Sequence, residues 1–157
     1  MSDRYTGIIS IPKKYINKYE KLKRTIDLEF YDANGNLYDA ENWDENSPIA
    51  EFKCDDAQYG QFDTLENLCV ELKVPFDRWS AAYTEGPISV RYRPDSNNGK
   101  PIYLDGYIDD IMYSANELQS LVQGLNLNNP NNYHEIGKIF ANFLQNIPQF
   151  RPLKEYA

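Results

Sequence analysis

Histidine and cysteine are scarce in this sequence, which limits the chemistry it can perform. The chain of 157 residues has one histidine, His134, and two cysteines, Cys54 and Cys69. Two thiols make neither a disulfide framework nor a zinc site, so we expect both to be free and packed as small hydrophobic residues. A nucleophilic pair between a cysteine and His134 stays open, but no accompanying motif supports it.

Motifs of catalysis and membrane insertion are also absent. The chain has no phosphate-binding glycine loop, no dinucleotide fingerprint, no HExxH zinc motif and no GxSxG nucleophile elbow. No apolar run approaches the roughly 20 residues that span a bilayer, and the N-terminal residues lack the apolar region of a signal peptide. We therefore expect a cytoplasmic protein that is not an enzyme, binds no cofactor and has no membrane partner.

Basic residues are almost missing from residues 27–71, a stretch that we call the acidic block. It holds one base, Lys53, and 13 acids, whereas residues 1–24 carry seven Lys/Arg and two acids. The acids of the block are Asp27, Glu29, Asp32, Asp39, Glu41, Asp44, Glu45, Asp55, Asp56, Asp63, Glu51, Glu66 and Glu71. Direct binding of nucleic acid is not expected, because phosphate contacts need clustered Lys/Arg, which only residues 1–24 offer.

The acidic block has two interpretations. It keeps the protein soluble, or it forms a surface for a basic protein partner, whose association it would accelerate. For the second interpretation, the candidate contacts in the block are Asp39, Glu41, Trp43, Asp44, Glu45, Asp55 and Asp56. Arg78 and Trp79 are further candidates because arginine and tryptophan are common at interface hot spots, although a strand packed in a sheet accounts for them equally well.

Hydrophobic periodicity predicts an α+β fold in a single domain over residues 1–157. Alternation predicts strands at 5–11, 25–31, 49–54, 76–83, 87–93 and 102–112, with a hairpin turn at Asn34-Gly35. Helical spacing predicts a basic helix at 12–24, a helix at 61–74 with Asp63 as N-cap, and two helices in the last third. We expect a mostly antiparallel sheet of about five to six strands and about four helices, with the C-terminal helical pair packed on the sheet.

Aspartates in the last predicted strand are the one candidate metal site. Alternation places Asp105 and Asp109 on one face and Asp110 on the other. Two carboxylates on one face suit a divalent metal or a catalytic pair. The competing interpretation is a hairpin in which Arg91 and Arg93 face Asp105 and Asp109.

Several segments in the middle of the chain carry a resemblance. They are Gln58-Tyr59-Gly60-Gln61-Phe62, Leu65-Glu66-Asn67-Leu68, Val74-Pro75-Phe76-Asp77-Arg78-Trp79-Ser80, Tyr83-Thr84-Glu85 and Val90-Arg91-Tyr92-Arg93-Pro94. This pattern resembles small acidic proteins of bacterial plasmids and phages. The resemblance implies a mobile-element context, in which anti-CRISPR and antirestriction inhibitors are common and some mimic the charge of DNA. The basic first helix departs from a pure DNA mimic.

Three functional hypotheses result. The first is an inhibitor whose acids occupy the basic nucleic-acid groove of a bacterial defence complex. The second is an adaptor or immunity-type module that binds one protein through Arg78 and Trp79. The third is a metal-dependent enzyme that uses Asp105 and Asp109.

Overall fold

A computed structural model describes residues 3–31, 46–83, 86–105, 110–111 and 115–157. The chain divides into a larger compact unit, Met1–Ile111 with Phe150–Ala157, and a smaller one, Met112–Gln149. The predicted hairpin turn at Asn34-Gly35 lies outside the described residues. Our assignment of one domain to residues 1–157 stays a prediction.

The larger unit is built on a six-stranded antiparallel sheet, which confirms the predicted α+β class. The strands are β1 (Arg4–Pro12), β2 (Ile49–Gln58), β3 (Phe76–Tyr83), β4 (Gly86–Tyr92), β5 (Ile102–Asp105) and β6 (Asp110–Ile111). Their order is β2-β1-β3-β4-β5-β6, and each is antiparallel to its neighbours. β1 therefore lies between β2 and β3, which are parallel to each other.

Three helices accompany this sheet: α1 (Lys13–Lys18), α2 (Glu20–Phe30) and α3 (Asp63–Glu71). The first two connect β1 to β2, and α3 connects β2 to β3 across β1. Apolar residues of α2 and α3 form the core with alternate residues of the strands, and Phe30 stacks on Phe52 with ring centroids 5.0 Å apart. The intervening strand residues lie on the opposite side of the sheet, which we call the far face.

The predicted strand at 25–31 is wrong, because Glu20–Phe30 is a helix. Ile26 and Phe30 are four residues apart, a spacing that fits both alternation and a helix. Leu22, four residues earlier, completes a buried helical stripe, while Leu28 is 86% exposed. The predicted basic helix at 12–24 also ends early, since the chain is extended at Tyr19 between α1 and α2.

The smaller unit contains α4 (Ala115–Leu121), a 3₁₀ turn at Pro130–Asn132 and α5 (Tyr133–Gln145). The described residues thus include five α-helices, against about four predicted. No side chain of α5 is buried, and Tyr133 and Leu144 are exposed. The packing of the C-terminal helical pair on the sheet stays a prediction.

A close contact between two glycines joins β1 to the loop before α3. A Cβ atom on Gly7 would lie 2.7 Å from the carbonyl oxygen of Gly60 and 2.9 Å from Cζ of Phe62. Gly60 has a φ of +65°, and its carbonyl accepts a hydrogen bond of 3.0 Å from the Ser80 hydroxyl. The loop is therefore held where a larger residue on β1 would collide with its backbone.

We expect Gly7→Ala to lower the free energy of unfolding by about 1 to 3 kcal/mol, the usual cost of overpacking. Gly137→Ala in α5 is the control: among the described residues, no atom outside its own helix's backbone and its two chain neighbours lies within 4 Å of the Cβ it would gain. Better helix propensity should stabilise that variant by up to about 1 kcal/mol. Urea denaturation followed by circular dichroism measures the free energy of unfolding of both variants. An equal loss of stability in the two would show that the contact between Gly7 and Gly60 is not the cause.

Candidate functional site

The acidic block is not one patch in the described part of the chain. Five of its acids, with Trp43, lie outside the described residues: Asp32, Asp39, Glu41, Asp44 and Glu45. The predicted contacts at positions 39–45 therefore stay predictions. Two of the remaining acids lie elsewhere. On the surface, Glu71 Oε1 lies 3.3 Å from Lys21 Nζ. The Glu66 carboxylate is largely enclosed beside the buried Arg78.

Four carboxylates of the block gather around one cleft of about 650 Å³, which we call the acidic cleft. Glu29 comes from the end of α2, Asp55 and Asp56 from β2, and Asp63 from the start of α3. Arg4 is the one cation among the lining residues. Residues far apart in the sequence thus produce a concentrated negative surface.

A β-bulge sets the direction of two of these carboxylates. Gly7 pairs with Cys54 and Tyr5 with Ala57, so Asp55 and Asp56 together face one residue, Thr6. A bulge of this kind bends the strand and redirects its side chains. Both carboxylates stay exposed, and both have a cation nearby: Lys53 Nζ lies 3.0 Å from Asp55 Oδ2, and Arg4 Nη1 lies 3.6 Å from Asp56 Oδ2.

The start of α3 places Asp63 at the cleft. Phe62 is the N-cap, and its N–H donates a hydrogen bond of 3.1 Å to Glu66 Oε1. The prediction of Asp63 as N-cap is therefore wrong by one residue, although Glu66 does cap the helix. As the first residue of the helix, Asp63 is stabilised by the positive end of the helix dipole.

Glu29 and Asp27 lie in the last turn of α2, where the helix dipole disfavours negative charge. Glu29 is exposed overall, but partial burial of its carboxyl and, secondarily, the charge of Asp63 raise its pKa above the ordinary value. Neither the dipole nor the neighbouring carboxylate stabilises this charge within the fold. Its position therefore costs stability.

We expect Glu29→Gln to stabilise the protein at pH 7. Because the folded state holds the Glu29 proton more tightly than the unfolded chain does, ionisation of Glu29 opposes folding at neutral pH. This cost is absent below the ordinary carboxyl pKa of about 4.3 and grows as the pH rises through the raised pKa.

Urea midpoints of Glu29→Gln and of the unsubstituted protein should thus differ at pH 7 and converge in acid. Glu71→Gln is the control, because it removes an exposed ion pair with Lys21 and should be neutral or slightly destabilising. A gap that is constant from pH 7 to acid would show that the Glu29 charge is not the cause.

Arg78 does not lie on a surface, so its assignment as a partner contact is corrected. It is 3% exposed and points into the core beneath α3. Its Nε lies 3.0 Å from Glu66 Oε1, an ion-pair distance with an angle too bent for a hydrogen bond. Its Nη1 contacts the Ser80 hydroxyl. The residue connects the sheet to α3.

Trp79, the next residue, lies on the far face in a groove of about 310 Å³, which we call the Trp79 groove. Consecutive strand residues point to opposite faces, so the buried side chain of Arg78 points away from the face on which the indole lies. The groove is lined, besides Trp79, by residues of β1 to β4: Ile8, Ser10, Glu51, Asp77, Arg78, Ser89, Val90 and Arg91. The groove combines one large aromatic ring with hydroxyl and charged groups.

Asp77 in β3 is the partner of both arginines that we expected to face Asp105 and Asp109. Arg91 Nε lies 3.5 Å and Arg93 Nη1 2.8 Å from Asp77 Oδ1. In the β4–β5 ladder, Asp105 is opposite Ile88 and Arg91 is opposite Ile102. The register therefore does not place Asp105 opposite Arg91, and the part of the prediction that involves Asp109, which lies outside the described residues, stays a prediction.

The metal and thiol hypotheses gain no support. Within the described ranges, no group of three or more His, Cys, Asp or Glu residues is arranged to hold a metal ion. The predicted strand at 102–112 is two strands, β5 and β6, which pair Asp105 with Asp110, so the prediction that these two residues lie on opposite faces is wrong. Asp109 lies outside the described ranges, so the role of Asp105 with Asp109 stays a prediction. Cys69 is buried and free, and burial raises its thiol pKa to about 12, which keeps it protonated and unreactive.

Comparison of the chain with protein-family models, curated proteins and solved structures finds no match. The resemblance to mobile-element proteins therefore stays a prediction. None of the helices in the described ranges has the length and apolar character needed to cross a bilayer.

Sequence reasoning missed three residues that the structure places at these sites. Glu29 and Asp63 were counted in the acidic block, and Asp63 was predicted as an N-cap, but neither was predicted as a binding residue, because nothing in the sequence shows that α2 ends beside α3. Glu51 was likewise not singled out. The sequence did indicate the position of Glu51: it lies between Ala50 and Phe52, which are buried, and neighbouring residues of a strand point to opposite faces. Glu51 therefore had to lie on the far face.

Proposed function

We propose that this chain is a non-enzymatic binding protein whose acidic cleft receives a basic surface of a protein partner. The observation that carries the proposal is the convergence of Glu29, Asp55, Asp56 and Asp63 on one cleft. Scattered acids would serve solubility alone, whereas four carboxylates in one concave site attract a cationic group from several sides at once.

The electrostatic cost of the cleft also supports binding. Glu29 is held near Asp63 and at the unfavourable end of α2, and its pKa is raised first by partial burial and then by the charge of Asp63. A lysine or arginine of a partner would lower that pKa and remove the repulsion between the two carboxylates. Charge that destabilises the free protein thus contributes to affinity in the complex.

The partner that we infer is a nucleic-acid-binding complex of a bacterial defence system in the cytoplasm. Its basic groove would accept carboxylates in place of phosphates, and the protein would act as a competitive inhibitor. The basic first segment is compatible with this role, because part of its charge is compensated within the chain. Lys21 pairs with Glu71, and Arg24 lies 3.2 Å from Glu20.

Neutralising the cleft tests this proposal. We expect Asp56→Asn with Asp63→Asn to weaken binding of the basic partner by about tenfold, equivalent to 1.4 kcal/mol. Asp55 is left intact, because its carboxylate accepts a hydrogen bond of 2.8 Å from the Thr6 hydroxyl and lies 3.0 Å from Lys53 Nζ, whereas Asp56 has only the longer contact of 3.6 Å with Arg4 Nη1. The matched control, Glu71→Gln with Glu155→Gln, removes the same charge at two exposed positions away from the cleft and should bind as the unsubstituted protein does.

The measurement is capture of partners from a bacterial lysate on the tagged protein, followed by titration of the purified partner with and without nucleic acid. The interaction should weaken as salt rises, because exposed charges are screened within about 10 Å at 0.1 M salt. Nucleic acid should displace the protein. Equal binding by the cleft variant and the control, or binding unaffected by nucleic acid, contradicts the proposal.

A second candidate function is an adaptor or immunity-type module that binds a protein through Trp79 alone. The groove around this half-buried indole favours it, because tryptophan in a concave site is a typical interface anchor. Such a complex would depend weakly on salt and would be lost in Trp79→Ala but kept in the cleft variant.

A further inference from the structure

Exposed hydrophobic side chains concentrate in the smaller unit, which is also poor in charge. Among the described residues, five large hydrophobic side chains are exposed, and three of them lie there: Leu127, Tyr133 and Leu144. Residues 112–149 carry two acids and one base, whereas the whole chain has a formal net charge of −8. Exposed apolar groups with few charges among them are typical of the centre of a protein interface.

Two of these side chains lie along one side of α5, together with two small residues. Tyr133, Gly137 and Leu144 are four and seven residues apart, close to one and two helical turns, so they share one side of the helix. Ala141 borders the same side, one turn after Gly137. All four are exposed, and we call them the α5 stripe. A Cβ atom on Gly137 would meet no atom within 4 Å outside its own helix's backbone and its chain neighbours, so the middle of the stripe is open.

The fold leaves this helix incompletely covered. Its 13 residues are all described, and none of their side chains is buried. Ile136 and Phe140, which flank the stripe, are half-buried. A helix of this length derives most of its stability from the packing of its apolar face and not from its intrinsic propensity. The α5 stripe is therefore the part of that face which is left for a further contact.

We propose that the α5 stripe binds the α5 stripe of a second copy of this chain, as an antiparallel helix pair about a twofold axis. If the pair is centred between Phe140 and Ala141, Gly137 and Leu144 are equally far from the centre, so the glycine of each copy faces the leucine of the other. The glycine leaves room for the leucine side chain. A twofold interface needs a self-complementary surface of this kind.

The charges of α5 also favour a second copy as the partner. Glu135 is two residues from Tyr133, which places it on the side opposite the stripe, and Lys138 borders the polar side. The stripe itself has no carboxylate with which to recruit the basic partner inferred above, and no charge with which to repel its own copy. The inference is therefore independent of the acidic cleft.

Sedimentation equilibrium of the purified protein measures this association. α5 is about 20 Å long, so the interface is small and we expect a reversible dimer with a dissociation constant on the order of 10 to 100 μM. The net charge repels two copies at long range. Raising the salt from about 0.1 M to about 0.5 M screens that repulsion and should maintain or strengthen the dimer.

Two substitutions locate the contact. Leu144→Gln should weaken the dimer by about tenfold or more, because two buried leucines are lost from each dimer. Leu28→Gln is the matched control: it changes a leucine that is 86% exposed on α2, in the larger unit, and should leave the dimer unchanged. Gly137→Leu should also weaken the dimer by about tenfold or more, because its side chain fills the gap, yet better helix propensity should keep or raise its urea midpoint. It thus separates loss of the contact from loss of folding.

A protein that stays monomeric over concentrations well above the expected dissociation constant overturns the inference. A dimer that persists in both Leu144→Gln and Gly137→Leu, or that is weakened equally in Leu28→Gln, also overturns it. The cleft variant Asp56→Asn with Asp63→Asn should dimerise as the unsubstituted protein does. Association that is lost in this variant and falls as salt rises would show that the acidic cleft, and not α5, joins the two copies.

Discussion

The buried guanidinium of Arg78 is the constraint on which the candidate site depends. It pairs with Glu66, whose carboxylate also accepts the N–H of Phe62 at the start of α3. Through Ser80 it reaches the carbonyl of Gly60, which fixes the loop that precedes the helix. The first turn of α3, and with it Asp63, is thereby held in place against the sheet. Loss of one partner would leave an uncompensated charge in the core, which is far more costly than loss of an exposed pair.

β2 supplies charge to two separate surfaces. Before the bulge, successive side chains of β2 alternate between the two faces of the sheet, and Glu51 points to the far face. At the bulge, Asp55 and Asp56 line the acidic cleft at the end of α2. An acidic sequence is therefore divided into a cleft on one side and a groove on the other.

Local patterns predicted the strands and helices well where one periodicity dominated, and failed where two competed or the contact was distant. At 25–30 the spacing of Ile26 and Phe30 fits either element, and only the tertiary burial of Leu22 decides for the helix. Alternation alone should have separated Arg78 from Trp79, since neighbours on a strand face opposite ways. By contrast, no local pattern shows that Glu29 meets Asp63, or that Arg91 and Arg93 share Asp77, because these pairs form only after α3 has crossed β1.

The central position of β1 has a consequence for how the chain acquires this fold. Gly7 pairs with Cys54 on one side and with Ser80 on the other. During synthesis β1 leaves the ribosome before β2 and β3, so its residues cannot form their strand pairs until both of those segments have been translated. Folding dominated by such non-local pairing is slow, on a scale of milliseconds to seconds. The order of synthesis therefore leaves the central strand of the sheet without its second neighbour until β3 has been made.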